Sequence, residues 1–357
     1  MPRNPVPFGE RNTKLRKPLD ICTGRYPTFL YGAKLGSFLP VFSFEKVTLP
    51  YLEPYLVYLM ENGYQTLQTP ELQDIVLGKR KIDAPSVVLQ FDGAWASVWT
   101  VVAPLLRRYN MRAVTFAIPG RIQHGEKPRP TWRQPGHDPA IDHTQNPFCT
   151  WEELRALADE GRVDVQSHSW SHAQIFCSDQ FQRLILPETD MPLLEWPVIS
   201  DPGEPLKRLG PSNVFHPLLP TRTRLSNALK HDVDPSVVRR IHDDPNAAPY
   251  LFRQYFLQIE TEEDREKAIR FELEQSKGEL EDKLGKPVTQ IRCPRGICGG
   301  IAESLLHECG YETAVADKLG GFRACVPGQN PRRIMRLDHI YIPCLPGRTR
   351  KCYWYIK

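Results

Sequence analysis

The stretch SVVLQFDGAWAS, residues 86–97, decides how this chain folds. Five mostly apolar residues, Val87 to Phe91, deliver a single carboxylate, Asp92, and Gly93 follows at once. An apolar run of that length ending at a glycine reads as a strand buried on both faces, the signature of a parallel sheet sandwiched by helices. Such sheets carry their reactive groups at the C-terminal ends of the strands, which is where Asp92 stands. Side chains alternate along a strand, so Val88, Gln90 and Asp92 share one face.

On either side of this strand, apolar runs alternate with amphipathic segments. LPVFSF (39–44) precedes PYLEPYLVYLMENGY (50–64), which closes on Asn62-Gly63, and Thr69-Pro70-Glu71 opens a second helix with Thr69 as its cap. VWTVVAPLLRRYN (98–110) reads as a helix, RAVTFAI (112–118) as a strand, CTWEELRALADEG (149–161) as a helix and RVDVQSH (162–168) as a strand. The pattern resumes with a helix over 262–285 that sets Ile269, Leu273, Leu280 and Leu284 on one face, then the strand PVTQIRC (287–293). Repeated strand–helix alternation implies parallel strands with crossover helices, hence an α/β sheet or barrel. Residues 179–260 break it: they are rich in proline, carry scattered basic residues such as Lys207, Arg208, Arg222 and Arg224, and read as an insertion over the barrel mouth.

Composition excludes several classes. Lys and Arg outnumber Asp and Glu by only 46 to 42, a net charge of +4 that gives no ground for nucleic acid as the main partner. No apolar run is long enough to span a bilayer, and MPRNPVPFGERNTKLRKPLD (1–20) lacks an apolar signal core, so the chain as written is expected in the cytoplasm. Nine cysteines, an odd number, read as reduced thiols.

The strongest chemical signal is VDVQSHSWSH (163–172). His168 and His172 stand four apart, so a helical turn after the strand would put both imidazoles within reach of one cation. Asp164, Gln166 and His168 share one strand face, as Gln90 does with Asp92, and the two amides either fill space at the site or hydrogen-bond inside the barrel.

At these residues the chain resembles a known family. VVLQFDGAWASVWTVVAPLLRRYNMRAVTFAI (87–118) resembles the first motif region of the polysaccharide deacetylases, the NodB-homology or carbohydrate esterase 4 family, whose strand ends Thr-Phe-Asp-Asp-Gly. TWEELRALADEGRVDVQSHSWSH (150–172) is similar to the His-Ser/Thr-x-x-His motif, and IRCPRGICGGIAESLLHECGYETAV (291–315) to Arg-x-Pro-x-Gly. The resemblance covers about Phe38 to Cys177 and Thr261 to Pro343. It implies a distorted (β/α) barrel of NodB-homology type: an N-terminal extension over 1–37, a barrel over 38–345 interrupted by the insertion 179–260, and a tail over 346–357. It also implies metal-dependent removal of acetyl groups from an N-acetylated sugar or polysaccharide precursor.

Carried over residue by residue, the resemblance makes Asp92 the catalytic base, His168 and His172 ligands of a divalent metal such as zinc, and Arg292 the residue orienting the base. Pro294 and Gly296 complete that third motif, and Pro294 with Trp95 and Trp170 is placed on the substrate side, the two indoles as candidates for stacking on a sugar. Leu337-Asp338-His339 resembles the last motif, in which His339 would be the general acid. The expected partner is a carbohydrate, phosphate- or lipid-linked where arginines meet it.

One position departs from the pattern: Gly93 stands where the family has its metal-binding Asp. Either Asp92 binds the metal itself, or Asp142, His143 or the insertion supplies a ligand, or the site has lost its function. The alternatives to a deacetylase are therefore a glycan-binding or assembly protein of the same fold, and a cyclic imide or ureide hydrolase.

Overall fold

In chain order the barrel strands are β1 (Val41–Phe44), β2 (Gln65–Leu67), β3 (Ser86–Asp92), β4 (Ala113–Ala117), β5 (Val163–Ser167), β6 (Gln290–Arg292), β7 (Thr313–Ala316), β8 (Ile334–Met335) and β9 (Leu337–Asp338). The computed structural model describes residues 27–82, 84–144, 146–254, 258–316 and 330–351. Every pairing in this sheet is parallel, in the order β8-β7-β6-β5-β4-β3-β1-β9, with β2 on β3 below β4. Apolar on both faces, β3 takes β1 on one side and β2 and β4 on the other.

The two ends of this order are one piece of chain. Ile334 and Met335 pair with β7, Leu337 and Asp338 pair with β1, and only Arg336 lies between. A single short stretch thus closes the barrel. The inward face carries Val41, Val88, Val114, Phe116, Val315 and Ile334, floored by Leu72, Ile75 and Val76 of helix Thr69–Val76. The outward face, with Phe42, Leu89 and Phe91, packs under the helices Leu49–Glu61, Trp151–Glu160 and Glu262–Leu284. On the last of these, Ile269, Leu273, Leu280 and Leu284 are all buried, as their spacing requires.

Two local features differ from the sequence reading. The helix expected from Val98 begins with a π turn over Val98–Val102 and is α-helical only over Ala103–Arg108. Pro104 has no N–H for the Thr100 carbonyl, which accepts from the Trp132 N–H at 2.9 Å instead. The next difference is at Thr69, which lies inside its helix; Gln68 is the cap, its N–H bonded to Glu71 Oε2 at 3.1 Å.

Gln90 and Gln166 hydrogen-bond inside the barrel. Gln90 Nε2 lies 3.4 Å from Gln290 Oε1, while Gln166 Oε1 accepts the N–H groups of Thr289 and Gln290 at 3.0 and 2.9 Å. Strands β5 and β6 share one residue pair, Ile291 with Ser167, so the Gln166 amide stands in for missing ladder bonds.

Within 179–260 the chain builds small antiparallel pairs, Arg183–Leu184 with Pro217–Leu218 and His231–Asp232 with Gln258–Ile259, and two short helices, Pro235–Asp243 and Ala248–Gln254. It has apolar clusters of its own, one around Trp196, Leu209 and Leu218 and another around Val237, Ile241 and Leu251. The buried ion pair Arg224–Glu260, at 2.6 Å, ties its middle to its last residue. The described cysteines, Cys149, Cys177, Cys293, Cys298, Cys309 and Cys344, are free thiols. Among the described residues, no helix is long and apolar enough to cross a membrane.

Candidate active site

Asp92 ends β3 on the inward face, and two arginines meet it. Arg336 forks onto the carboxylate, Nη1 to Oδ1 at 2.6 Å and Nη2 to Oδ2 at 2.7 Å, and Arg292 Nε reaches Oδ2 at 3.3 Å. Burial alone would raise this carboxyl, but Arg336 and then Arg292 outweigh it and hold Asp92 far below the usual carboxylate range. The bidentate partner is thus Arg336, not Arg292, whose Nη1 donates to the Cys293 carbonyl at 2.6 Å.

Arg336 escaped the sequence reading, and the structure shows what places it. Alternation along 334–338 sends Ile334, Arg336 and Asp338 to one face and Met335, Leu337 and His339 to the other. With Ile334 in the barrel interior, Arg336 must point inward.

The same alternation carries His339 away from Asp92. Its ring stacks on Phe44 at a centroid distance of 4.7 Å and meets Tyr51 and Tyr55 edge-on, under helix Leu49–Glu61. Nδ1–H donates to the Ser43 carbonyl at 2.9 Å, and Nε2 is taken by the Tyr51 hydroxyl. The general-acid position assigned to His339 is therefore corrected: its ring lies on the outer face of the strand, with both nitrogens engaged.

His168 and His172 do come together, their rings edge to face at 4.8 Å. His168 follows β5, and its Nδ1–H donates to the Arg292 carbonyl at 2.7 Å, so its lone pair is on Nε2. Burial pushes its pKa down to about 4 against the pull of Asp92. His172 is held well below the ordinary histidine value by burial, then by His168 and Arg208. Its Nδ1 is buried without a partner among the described residues. The turn between them is left-handed at Ser169 (φ 62°) and His172 (φ 53°), a conformation that costs energy and is common at functional sites. The Ser171 N–H and hydroxyl, both bound to the buried Glu272 carboxylate, brace it.

A catalytic zinc takes three protein ligands. Here two neutral imidazoles converge, and among the described residues no group of three His, Cys, Asp or Glu side chains could hold a metal ion. Asp142 is tied to the Ser97 N–H at 2.8 Å, and His143 is exposed on a 3-10 turn. The donor set is one short of a catalytic zinc site, and no step below runs through a metal. The reason lies at Gly93, where φ is +87° and a Cβ would meet the Trp95 indole nitrogen at 2.8 Å. Trp95 fills the space that an Asp side chain would need.

Trp95 is buried, stacked on Phe148 at 4.6 Å and covered by Lys46. Trp170 turns to the helix Glu262–Leu284, its N–H donating to Glu279 at 2.8 Å and its ring edge-on to Phe271. Pro294 is buried in a turn beside Arg292. Glu45 comes one residue after the Phe44–Phe91 register pair, hence beside Asp92; partial burial and the Asp92 charge raise its carboxyl.

Comparison with known proteins agrees with this geometry. The chain is 27% identical over 128 residues to the poly-β-1,6-N-acetyl-D-glucosamine N-deacetylase of Escherichia coli (strain K12), an alignment covering 36% of this chain but only 18% of that protein. The BpsB deacetylase domain from Bordetella bronchiseptica superposes with a TM-score of 0.53 at 16% identity, covering 85% of this chain and 96% of that one. A de-N-acetylase from Aggregatibacter actinomycetemcomitans gives 0.52 at 16% identity, over 84% and 95%. At such identities the two structures speak for the fold, a parallel barrel with an outer helical layer. Residues 79–190, which contain both Asp92 and the histidine pair, match the family model of the polysaccharide deacetylases.

Proposed function

We propose that the protein hydrolyses the N-acetyl group of an N-acetylated sugar or polysaccharide. The observation that carries this reading is the forked Asp92 beside two neutral histidines at the mouth of a polysaccharide deacetylase barrel. An ionised carboxylate has about four lone-pair positions. Three arginine N–H groups occupy three of them on Asp92, leaving one to accept from a water. His168 Nε2 offers a second acceptor. A water held by these groups attacks the acetamide carbon, its oxygen forms the new C–O bond, the C–N bond breaks, and the water's protons are shared between the leaving amine and solvent. Metal dependence, which the family resemblance implies, belongs to the test of this reading.

The test is acetate release from N-acetylglucosamine oligomers, with and without added zinc. Release that disappears in Asp92→Asn and in His168→Gln is expected. A second reading, glycan binding without turnover, draws on the two-imidazole donor set and on a carboxylate whose basicity two arginines suppress. Oligomer binding with no acetate under any added divalent cation would select it.

A further inference from the structure

Beside the histidine turn lies a cavity of about 510 Å³ lined by Gly120, Arg121, Lys127, Arg129, Phe148 and Arg208 among others. Its wall touches that turn directly, because the Gly120 N–H donates to the Trp170 carbonyl at 2.8 Å. Among the described residues no Asp or Glu lines it. Arg129 is already neutralised, gripped by the buried Glu153 at 2.5 Å. Arg121 and Arg208 are not.

Arg208, from the insertion, is anchored by two bonds to the Trp196 carbonyl, Nε at 3.1 Å and Nη2 at 2.9 Å. These leave Nη1, which is buried and has no partner among the described residues. Arg121, after β4, lies over the Phe148 ring at 5.7 Å, and no carboxylate among the described residues answers its charge. The two guanidinium groups are close enough to repel: burial and then Arg121 push the Arg208 pKa down to about 9, against a weaker pull from Glu272. Bringing two cations together in a half-buried cavity, one with an unanswered N–H, costs free energy unless a ligand supplies the negative charge.

We propose that this cavity is a phosphate subsite, and that the substrate is an N-acetylated sugar carrying a phosphate ester or diphosphate. The inference rests on the deacetylation reading for the reacting group and adds the substituent that the protein selects. Two arginines and Lys127 exceed what one carboxylate neutralises, and planar guanidinium groups suit the several oxygens of a phosphate. Monoester and diphosphate sources share this chemistry.

Equilibrium binding separates the possibilities without turnover. Calorimetry with the full chain would compare N-acetylglucosamine, N-acetylglucosamine 1-phosphate and a nucleoside diphosphate N-acetylglucosamine, with inorganic phosphate as competitor. The phosphorylated sugars should bind about 10-fold or more tighter than the neutral one, since each charge-assisted bond is worth about a decade. Tighter binding of the diphosphate would identify that source, and equal binding of the two would identify the monoester. Arg121→Gln should remove most of the preference and Arg208→Lys part of it, and phosphate should compete only where the preference exists. Among the described residues the Arg121 side chain ties no carbonyl, so Arg121→Gln stays informative even if changes at Arg208 unsettle the insertion. Equal binding of neutral and phosphorylated sugar by the wild type, or a preference that survives Arg121→Gln, overturns the proposal. A preference without acetate release from any of the three sugars would sink the deacetylase reading and leave the subsite standing; release without preference would do the reverse.

Discussion

Arg336 and Asp92, 244 positions apart in the chain, form a two-point ion pair inside the barrel with the arginine side chain 2% exposed and the aspartate 18%. Removing one partner of a buried pair strands the other charge, at a cost of about 3–5 kcal/mol. Arg336→Gln should therefore lower the denaturant midpoint far more than Arg107→Gln, which breaks the surface pair with Glu160 and should cost about 0–1 kcal/mol. Equal midpoints for the two variants would mean that Asp92 does not depend on Arg336.

Stability should fall as pH drops from about 6.5 to about 4, the interval between the ordinary and folded values of His168. In that window the unfolded chain takes up a proton that the folded chain refuses, a difference of about 3 kcal/mol when complete. His172 acts in the same direction. Asp92 contributes in a lower window, because its depressed carboxyl keeps its stabilisation until pH falls below the ordinary carboxylate value. A thermal midpoint that stays level from pH 6.5 to 4 would contradict the burial of neutral histidines.

Gly93→Asp, the change that would restore the family's carboxylate, should destabilise the protein. A side chain at φ +87° costs roughly 1 kcal/mol or more, and its Cβ collides with Trp95. Pairing it with Trp95→Ala should recover part of the loss at the new side chain and raise zinc content after dialysis. Elemental analysis of both forms, read beside their midpoints, checks this; a fully stable single variant would show that Trp95 yields.

His339→Ala should lower stability by about 1–3 kcal/mol through lost packing on Phe44 and two lost hydrogen bonds, while kcat keeps its value. A fall in kcat with unchanged KM and an unchanged melting point would return the imidazole to the chemistry.

The strand–helix alternation around Ser86–Asp92 already specified a parallel α/β sheet or barrel, because a strand apolar on both faces has few other places to lie, and the family resemblance pointed to the barrel. The histidine pair was legible from its spacing. Arg336 was not, because its strand is two residues on either side of one, too short for periodicity to register. Nor was the loss of a third ligand fully legible: Gly93 is visible in the sequence, but the indole that fills its space is a tertiary fact. Arg121 and Arg208 are likewise brought together only by the folding of the insertion against the end of β4.

The closure through residues 334–338 also has a consequence during biosynthesis. At about 5–20 residues per second, the ribosome takes on the order of 10–50 seconds to travel from Asp92 to Arg336. Throughout that interval the edge of β1 lacks the strand that later covers it, and β7 lacks the same strand from its own synthesis onward. Unpaired edges recruit any strand within reach, including those of neighbouring nascent chains on the same messenger. The position of Arg336 near the end of the described chain thus sets how long each newly made molecule needs shielding, and slower translation lengthens its exposure.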